Sequence, residues 1–365
     1  MTTKEFISCS YTQKVLKLCQ MLTALGHTVY HYGCEGSQVV CTENVDVVSA
    51  ECRHEHYSEQ NDFTKQFTFD TNDDYHQKFY DQASKAIQKR LSPKDFVLCA
   101  WGYGHKPIVD RLRGEVIAVE SGIGYPDTWA DYRVFESYYW QAWCYGKEDQ
   151  RNGKSFDTVI PNFFDVEDFR YNPKSGTHCL YLGRLVDRKG VATAARACAE
   201  VGVKLLVAGQ GKLEDVGLEE NKYLKFVGFA DVDLRKELLA SAMALICPTV
   251  YLEPFGGVAV EAMLSGTPVI ASDWGAFAET VLHGFTGFRC STLDDYVSAI
   301  GKIHTIDRQV CRRWAVSNYD MTTVALSYEE YFDRLYSLWG NGWFEVCHRD
   351  MMKLIPIRSY PFSSG

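Results

Sequence analysis

Two carboxylates bracket a glycine pair in EPFGGVAVE, Glu253 to Glu261. An apolar run ends just before it at Thr249, and a helical pattern begins near Gly257. Gly256 and Gly257 carry no side chain, so a ligand can approach the backbone there. The free N–H groups and positive dipole end of the helix favour a phosphate or another anion. Glu261, one turn inside the helix, is placed to accept hydrogen bonds from a sugar hydroxyl, and Glu253 can reach the other side of the same ligand. A capped helix with two solvated glutamates explains the same pattern equally well when it is taken alone. The second cluster is YLGRLVDRKG, Tyr181 to Gly190, which also leads from an apolar run into a helix. Arg184 and Lys189 supply positive charge where a departing diphosphate would accumulate negative charge. VAGQGKLED adds Gly209 and Gly211, a GxG of little weight by itself.

These residues need a frame, and the chain between Thr177 and Gly287 reads as one. THCLYLGR, KLLVAG, YLKFVG, ALICPT and PVIAS are short apolar strands. They alternate with the helical stretches GVATAARACAEVG, DLRKELLASA and GGVAVEAMLSG. Near-continuous Val, Ile and Leu strands between helices predict a parallel sheet covered on both faces. The first part of the chain is similar but less regular. FISCS, TVYHYG, VDVVSA, DFVLCAW and EVIAVE are expected strands, and Tyr11 to Leu25 and Asp73 to Leu91 are expected helices. Pro161 and Asn162 break the pattern within VIPNFFDVEDF (Val159 to Phe169). The expected fold is therefore α/β, with two Rossmann-like domains at 1–160 and 161–341 facing across a cleft. Beyond Thr292 the chain is mostly helical, SYEEYFDRLYSLW being amphipathic.

Composition limits the function classes. A length of 365 residues suits two domains, and 46% apolar with 23% charged residues is globular. A net charge of −9 argues against a broad nucleic-acid or anionic-membrane surface. No apolar run is long enough to span a bilayer, and the N-terminus carries no secretory signal. Thirteen cysteines without a CxxC pair read as reduced thiols, which predicts a cytoplasmic location.

Together, VIPNFFDVEDF, YLGRLVDRKG, VAGQG, FVGF, EPFGGVAVEAMLSGTPVIASDWG and GFTGFRC resemble, in order, the retaining glycosyltransferases of the GT-B fold, specifically glycosyltransferase family 4. The resemblance covers roughly Val159 to Cys290. It implies transfer of a hexose or pentose from a nucleotide-diphosphate sugar to a hydroxyl acceptor (saccharide, protein or other small molecule), with no metal and no further cofactor. It places Glu253 on the donor sugar hydroxyls, with Phe255, Gly256, Gly257 and Val258 along the sugar and distal phosphate. Glu261 falls on the ribose, Arg184 and Lys189 on the diphosphate, Val227 and Gly228 at the base, and Gly209 beside the nucleotide. It also implies that a C-terminal segment crosses back to the first domain, a role open to the tail 342–365.

The first domain departs from this family. Its first loop, SCSYTQKV, lacks the family's glycine pair, and Glu120 in EVIAVESGIGY stands where many members have a histidine. Glu120 is accordingly expected either to serve the donor sugar as a catalytic carboxylate or to lie at a strand end. His105 in WGYGHKP is a second cleft candidate with a structural alternative. Core packing is the default for Trp101, Trp129, Tyr138, Tyr139, Trp140 and Trp143, with acceptor stacking open to exposed members. Asp231 to Asp233 reads as a helix cap, and RHEHYSE lacks metalloprotease spacing. A base of nucleic acid as acceptor, through Lys106, Arg111 and Arg113, and a nucleotide-sugar epimerase of the same fold are the alternative functions.

Overall fold

The computed structural model describes residues 1–57, 70–114 and 116–338. The N-terminal part runs α1 (Ser10–Ala24), β1 (Tyr30–Cys34), β2 (Glu43–Val48), α2 (Ala50–Tyr57), α3 (Asp74–Gln88), β3 (Asp95–Cys99), α4 (Lys106–Val109), β4 (Val116–Ile123), β5 (Tyr132–Phe135), α5 (Tyr138–Lys147) and β6 (Thr158–Val159). Asp73 starts α3 by accepting the His76 N–H, and Ser137 starts α5 by accepting that of Trp140. The expected strand at FISCS does not form: residues 6–9 lie outside any strand and α1 already begins at Ser10. Its alternation was too short to outweigh the helical period that follows, which buries Leu18, Met21 and Leu22. The strands divide into a β1–β2 pair and a parallel sheet in the order β3-β4-β5-β6.

The C-terminal part runs β7 (His178–Leu182), α6 (Val191–Glu200), β8 (Lys204–Ala208), β9 (Leu224–Gly228), α7 (Val232–Ser241), β10 (Ala244–Cys247), α8 (Gly257–Leu264), β11 (Val269–Ser272), α9 (Phe277–Thr280), β12 (Gly287–Cys290), α10 (Leu293–Lys302) and α11 (Arg308–Tyr319). All six strands are parallel, in the order β12-β11-β10-β7-β8-β9. Helix α6 packs with α10, and α8 packs with α7 and α11, so two helix groups clothe the sheet. Every residue of β10 is buried as a result. Asp231 caps α7 through the Leu234 N–H, in keeping with the helix-cap reading of that acidic cluster.

The chain crosses between the two cores at one peptide bond. Phe163 belongs to the N-terminal core, whereas Phe164 belongs to the C-terminal one. The return lies alongside: Phe164 N–H donates to Tyr319 O at 2.9 Å, and Met321 N–H donates to Phe164 O at 2.9 Å. Helix α12 (Met321–Leu338) then buries Val324, Tyr328, Tyr331, Phe332 and Leu335 against Leu18, Met21, Ile117 and Val134. The helix that crosses back is thus α12. It falls within the expected C-terminal domain (161–341) yet packs on the N-terminal core, since an amphipathic period gives no address for its apolar face. The tail 342–365 lies outside the described residues. No described helix is long and apolar enough to cross a membrane.

Candidate active site

In the six-stranded sheet the chain moves outward from β7 to β9 on one side and from β10 to β12 on the other. The loops leaving β7 and β10 therefore part at their carboxyl ends, where open α/β sheets bind ligands. Lys189 comes from the first loop and Glu253 from the second. Lys189 Nζ donates to Glu253 Oε2 at 2.6 Å, and the Tyr251 hydroxyl donates to the same oxygen at 2.8 Å. The Lys189 ammonium also sits 5.0 Å from the centre of the Tyr251 ring. Burial alone would lower the Lys189 pKa, but Glu253 and Tyr251 outweigh it and hold the group above its usual value.

The glycines have separable reasons. Gly256 is left-handed (φ +74°), and a Cβ there would lie 2.4 Å from Phe277 Cε1. This conformation turns the chain into α8, whose first residue is Gly257 and whose start has no side-chain cap. The uncapped amides of that turn are available to an anion. Phe255 is buried, its ring stacked on Phe164 at 6.4 Å, so only its backbone can meet a ligand. Val258 is the second residue of α8 and half-buried. Gly275 (φ +61°) lies against the backbone of Glu253, and Ala276 N–H donates to Glu253 O at 3.0 Å. That contact explains why the motif extends to Gly275.

Glu261 projects from α8 toward α7, where Arg235 holds it through Nε at 2.7 Å and through a second, shorter contact from Nη2. Arg184 is half-buried after β7, its carbonyl accepting the Tyr181 hydroxyl at 2.8 Å. Val227 and Gly228 end β9, with open space where a Gly228 side chain would be. Gly209 follows β8 at φ +143°, and a Cβ there would strike Gly183 O at 1.8 Å. Its first requirement is thus the backbone approach of two loops. Tyr251 and Arg235 were not singled out in the sequence. An aromatic residue two positions before a glutamate, and an arginine on a different helix, give no local signal.

The N-terminal domain presents different groups from those expected. Glu120 is fully buried. Its Oε2 accepts the Trp129 and Ala130 N–H groups at 2.8 and 2.9 Å, and its Oε1 accepts the Tyr125 hydroxyl at 3.1 Å. Burial raises its pKa although these hydrogen bonds pull the other way. Glu120 therefore organises the 125–130 loop, a role that its strand-end position does not distinguish from a cleft one. His105 accepts the Ala100 N–H at Nδ1 (3.2 Å), and burial lowers its pKa to about 4, so it is a neutral structural group.

Nearer the loop that leaves β10 is Glu136, which is buried, pairs with Lys14 at 2.8 Å and lies against Gly124, as does Pro254 of that loop. Beside it, the Ser137 hydroxyl donates to Pro254 O at 2.7 Å. The first amides of α5 donate to Glu279 at 3.1 and 2.8 Å. Of the aromatic residues, Trp140 is buried while Tyr138, Tyr139 and Trp143 are exposed. Among the described residues no cluster of three or more His, Cys, Asp or Glu is placed to hold a metal ion.

Two Rossmann-like domains joined by a double crossing, with charged loops meeting at the switch point of the second, define a GT-B glycosyltransferase fold. The family model of glycosyl transferases group 1 matches residues 176–305 of the chain. It is 32% identical over 191 residues to the glycogen synthase of Mycobacterium tuberculosis, covering 46% of each chain. The chain thus spans about half or less of the length of the curated relatives it matches. Its fold resembles a glycosyltransferase involved in avilamycin A biosynthesis (TM-score 0.64, 20% identity, 89% of this chain and 90% of that one). It also resembles Anabaena HepE in complex with UDP-glucose (TM-score 0.57, 19% identity, 70% of this chain and 82% of that one).

Proposed function

We propose that the chain is a retaining glycosyltransferase that moves a hexose or pentose from a nucleotide-diphosphate sugar to a hydroxyl acceptor. The observation that carries this reading is the meeting of Lys189 and Glu253 at the switch point, beside the uncapped start of α8. Lys189, Glu253 and Glu261 each have a partner that a donor can replace. Sugar hydroxyls take Glu253, the ribose hydroxyls take Glu261 from Arg235, and the diphosphate takes Lys189, Arg184 and the amides of Gly256, Gly257 and Val258. The base lies along Val227 and Gly228.

In the reaction the bond from the anomeric carbon to the diphosphate oxygen breaks as the acceptor oxygen bonds the same face. The acceptor proton passes to a phosphate oxygen of the departing nucleoside diphosphate. The charge that develops on this leaving group is met by Lys189, Arg184 and the helix amides, all fixed beforehand. No metal or cofactor is required in this scheme. The unpaired cysteines of the described residues suit a reducing, cytoplasmic setting.

The test is incubation with UDP-, GDP- and ADP-sugars and a panel of saccharide and protein acceptors. Nucleoside diphosphate release that depends on an acceptor, with the product anomer matching the donor, supports the reading. Conversion of the donor sugar without acceptor or nucleotide release contradicts it.

A further inference from the structure

Three cations around the cleft pair with carboxylates. Lys189 meets Glu253, Arg235 meets Glu261 and Lys14 meets Glu136. Lys17, on the same face of α1 one turn beyond Lys14, is different. Its Nζ donates to a neutral acceptor, Asn162 Oδ1, at 3.0 Å and lies 4.1 Å from the centre of the Phe164 ring. No carboxylate stands within ion-pair distance of it among the described residues. The Phe164 ring in turn touches the start of α8: its Cζ lies 3.5 Å from the position a Gly257 Cβ would occupy. A single phenyl ring thus separates the Lys17 ammonium from the uncapped amides of the donor helix. Burial lowers the Lys17 pKa to about 8, with Glu261 and then Glu136 pulling the other way.

A partly buried ammonium with only a neutral acceptor and a ring face lacks the partner that would repay its lost hydration. Asn162, Phe163 and Phe164 hold it at the crossing between the two cores. The anion that belongs there must lie between α1 and α8, close to the group proposed to carry the ribose. We infer that Lys17 is the N-terminal domain's ligand for the donor diphosphate, contacting the phosphate nearer the ribose. This assignment rests on the donor reading above and adds a contact from the opposite domain, so that donor binding draws α1 and α8 together.

The full chain and its Lys17→Met and Lys17→Arg variants are titrated by calorimetry with inorganic pyrophosphate, with UDP, GDP and ADP, and with the matching nucleosides. A charge-assisted contact of this kind is worth about tenfold to a hundredfold in affinity. Lys17→Met is expected to lose at least about tenfold for pyrophosphate and for the preferred diphosphate, with nucleoside affinity unchanged. Lys17→Arg is expected to keep most of the diphosphate affinity. Diphosphate binding by Lys17→Met equal to that of the parent overturns the assignment while leaving the donor reading intact. Equal losses for nucleoside and diphosphate overturn it too, because they mark a role in holding the 162–164 crossing. Failure of the parent chain to bind any of these anions overturns the donor reading, and this inference with it.

Discussion

Gly256→Ala is the substitution whose cost follows most directly from the geometry. At φ +74° an alanine pays the left-handed penalty, about 1–2 kcal/mol. Its Cβ would also stand 2.4 Å from Cε1 of Phe277, a ring that is 1% exposed and has no room to retreat. Overpacking of that kind costs about 1–3 kcal/mol. The C-terminal domain should therefore lose about 2–5 kcal/mol, an unfolding midpoint lower by at least about 5 °C. Thermal and urea unfolding of the full chain measure it. Phe277→Leu removes the clashing atom, so the double variant should be less destabilised than the sum of the two single variants by about 1 kcal/mol or more. A Gly256→Ala protein within about 0.5 kcal/mol of the parent, or strict additivity with Phe277→Leu, refutes the argument that this glycine is required for the turn into α8.

Other consequences are equally specific. Glu120→Ala strands the Trp129 and Ala130 amides and the Tyr125 hydroxyl, which should cost the N-terminal domain about 3–5 kcal/mol. Glu120→Gln should keep transfer within about tenfold of the parent, and loss of turnover with unchanged stability would restore a catalytic role to this residue. Lys189→Ala leaves Glu253, whose side chain is 12% exposed, with only the Tyr251 hydroxyl. It should lower stability by about 1–3 kcal/mol and weaken nucleoside diphosphate binding at least about tenfold, read by unfolding and by calorimetry. His105 is held down to about 4 in the folded chain, against about 6.5 when unfolded. Its contribution is thus complete above pH 6.5 and falls as the pH drops toward 4, by at most roughly 1.4 kcal/mol per unit. His105→Asn should flatten that part of the stability profile, and an unaltered slope would show that other groups set it.

The second domain was legible because its signals are local. The apolar runs of β7, β8, β10 and β11, the helix starts at α6 and α8, and the glycines of EPFGG each declare themselves within a few residues. The paired loops at the switch point then follow from parallel topology. What stayed hidden depends on contacts between distant segments. Whether Glu120 faced the cleft or the interior depended on a loop ten residues away, and either direction suits a strand end. Arg235 reaches Glu261 from another helix, a contact that only the fold creates. Helix α12 has a readable apolar face, but only the assembled molecule shows that Leu18, Ile117 and Val134 receive it. The Phe163–Phe164 crossing is similar: the two rings are neighbours in sequence and belong to different cores.

The central claim is that Glu253 holds the sugar of a nucleotide-diphosphate donor at the start of α8 while Lys189 and Arg184 hold its diphosphate. Its most direct test compares the parent chain with Glu253→Gln, using whichever donor the panel identifies. Transfer and nucleoside diphosphate affinity are measured on the same preparations. The account predicts that Glu253→Gln transfers at least about a hundredfold more slowly while binding the nucleoside diphosphate within a few-fold of the parent. Near-parental turnover by Glu253→Gln would contradict it.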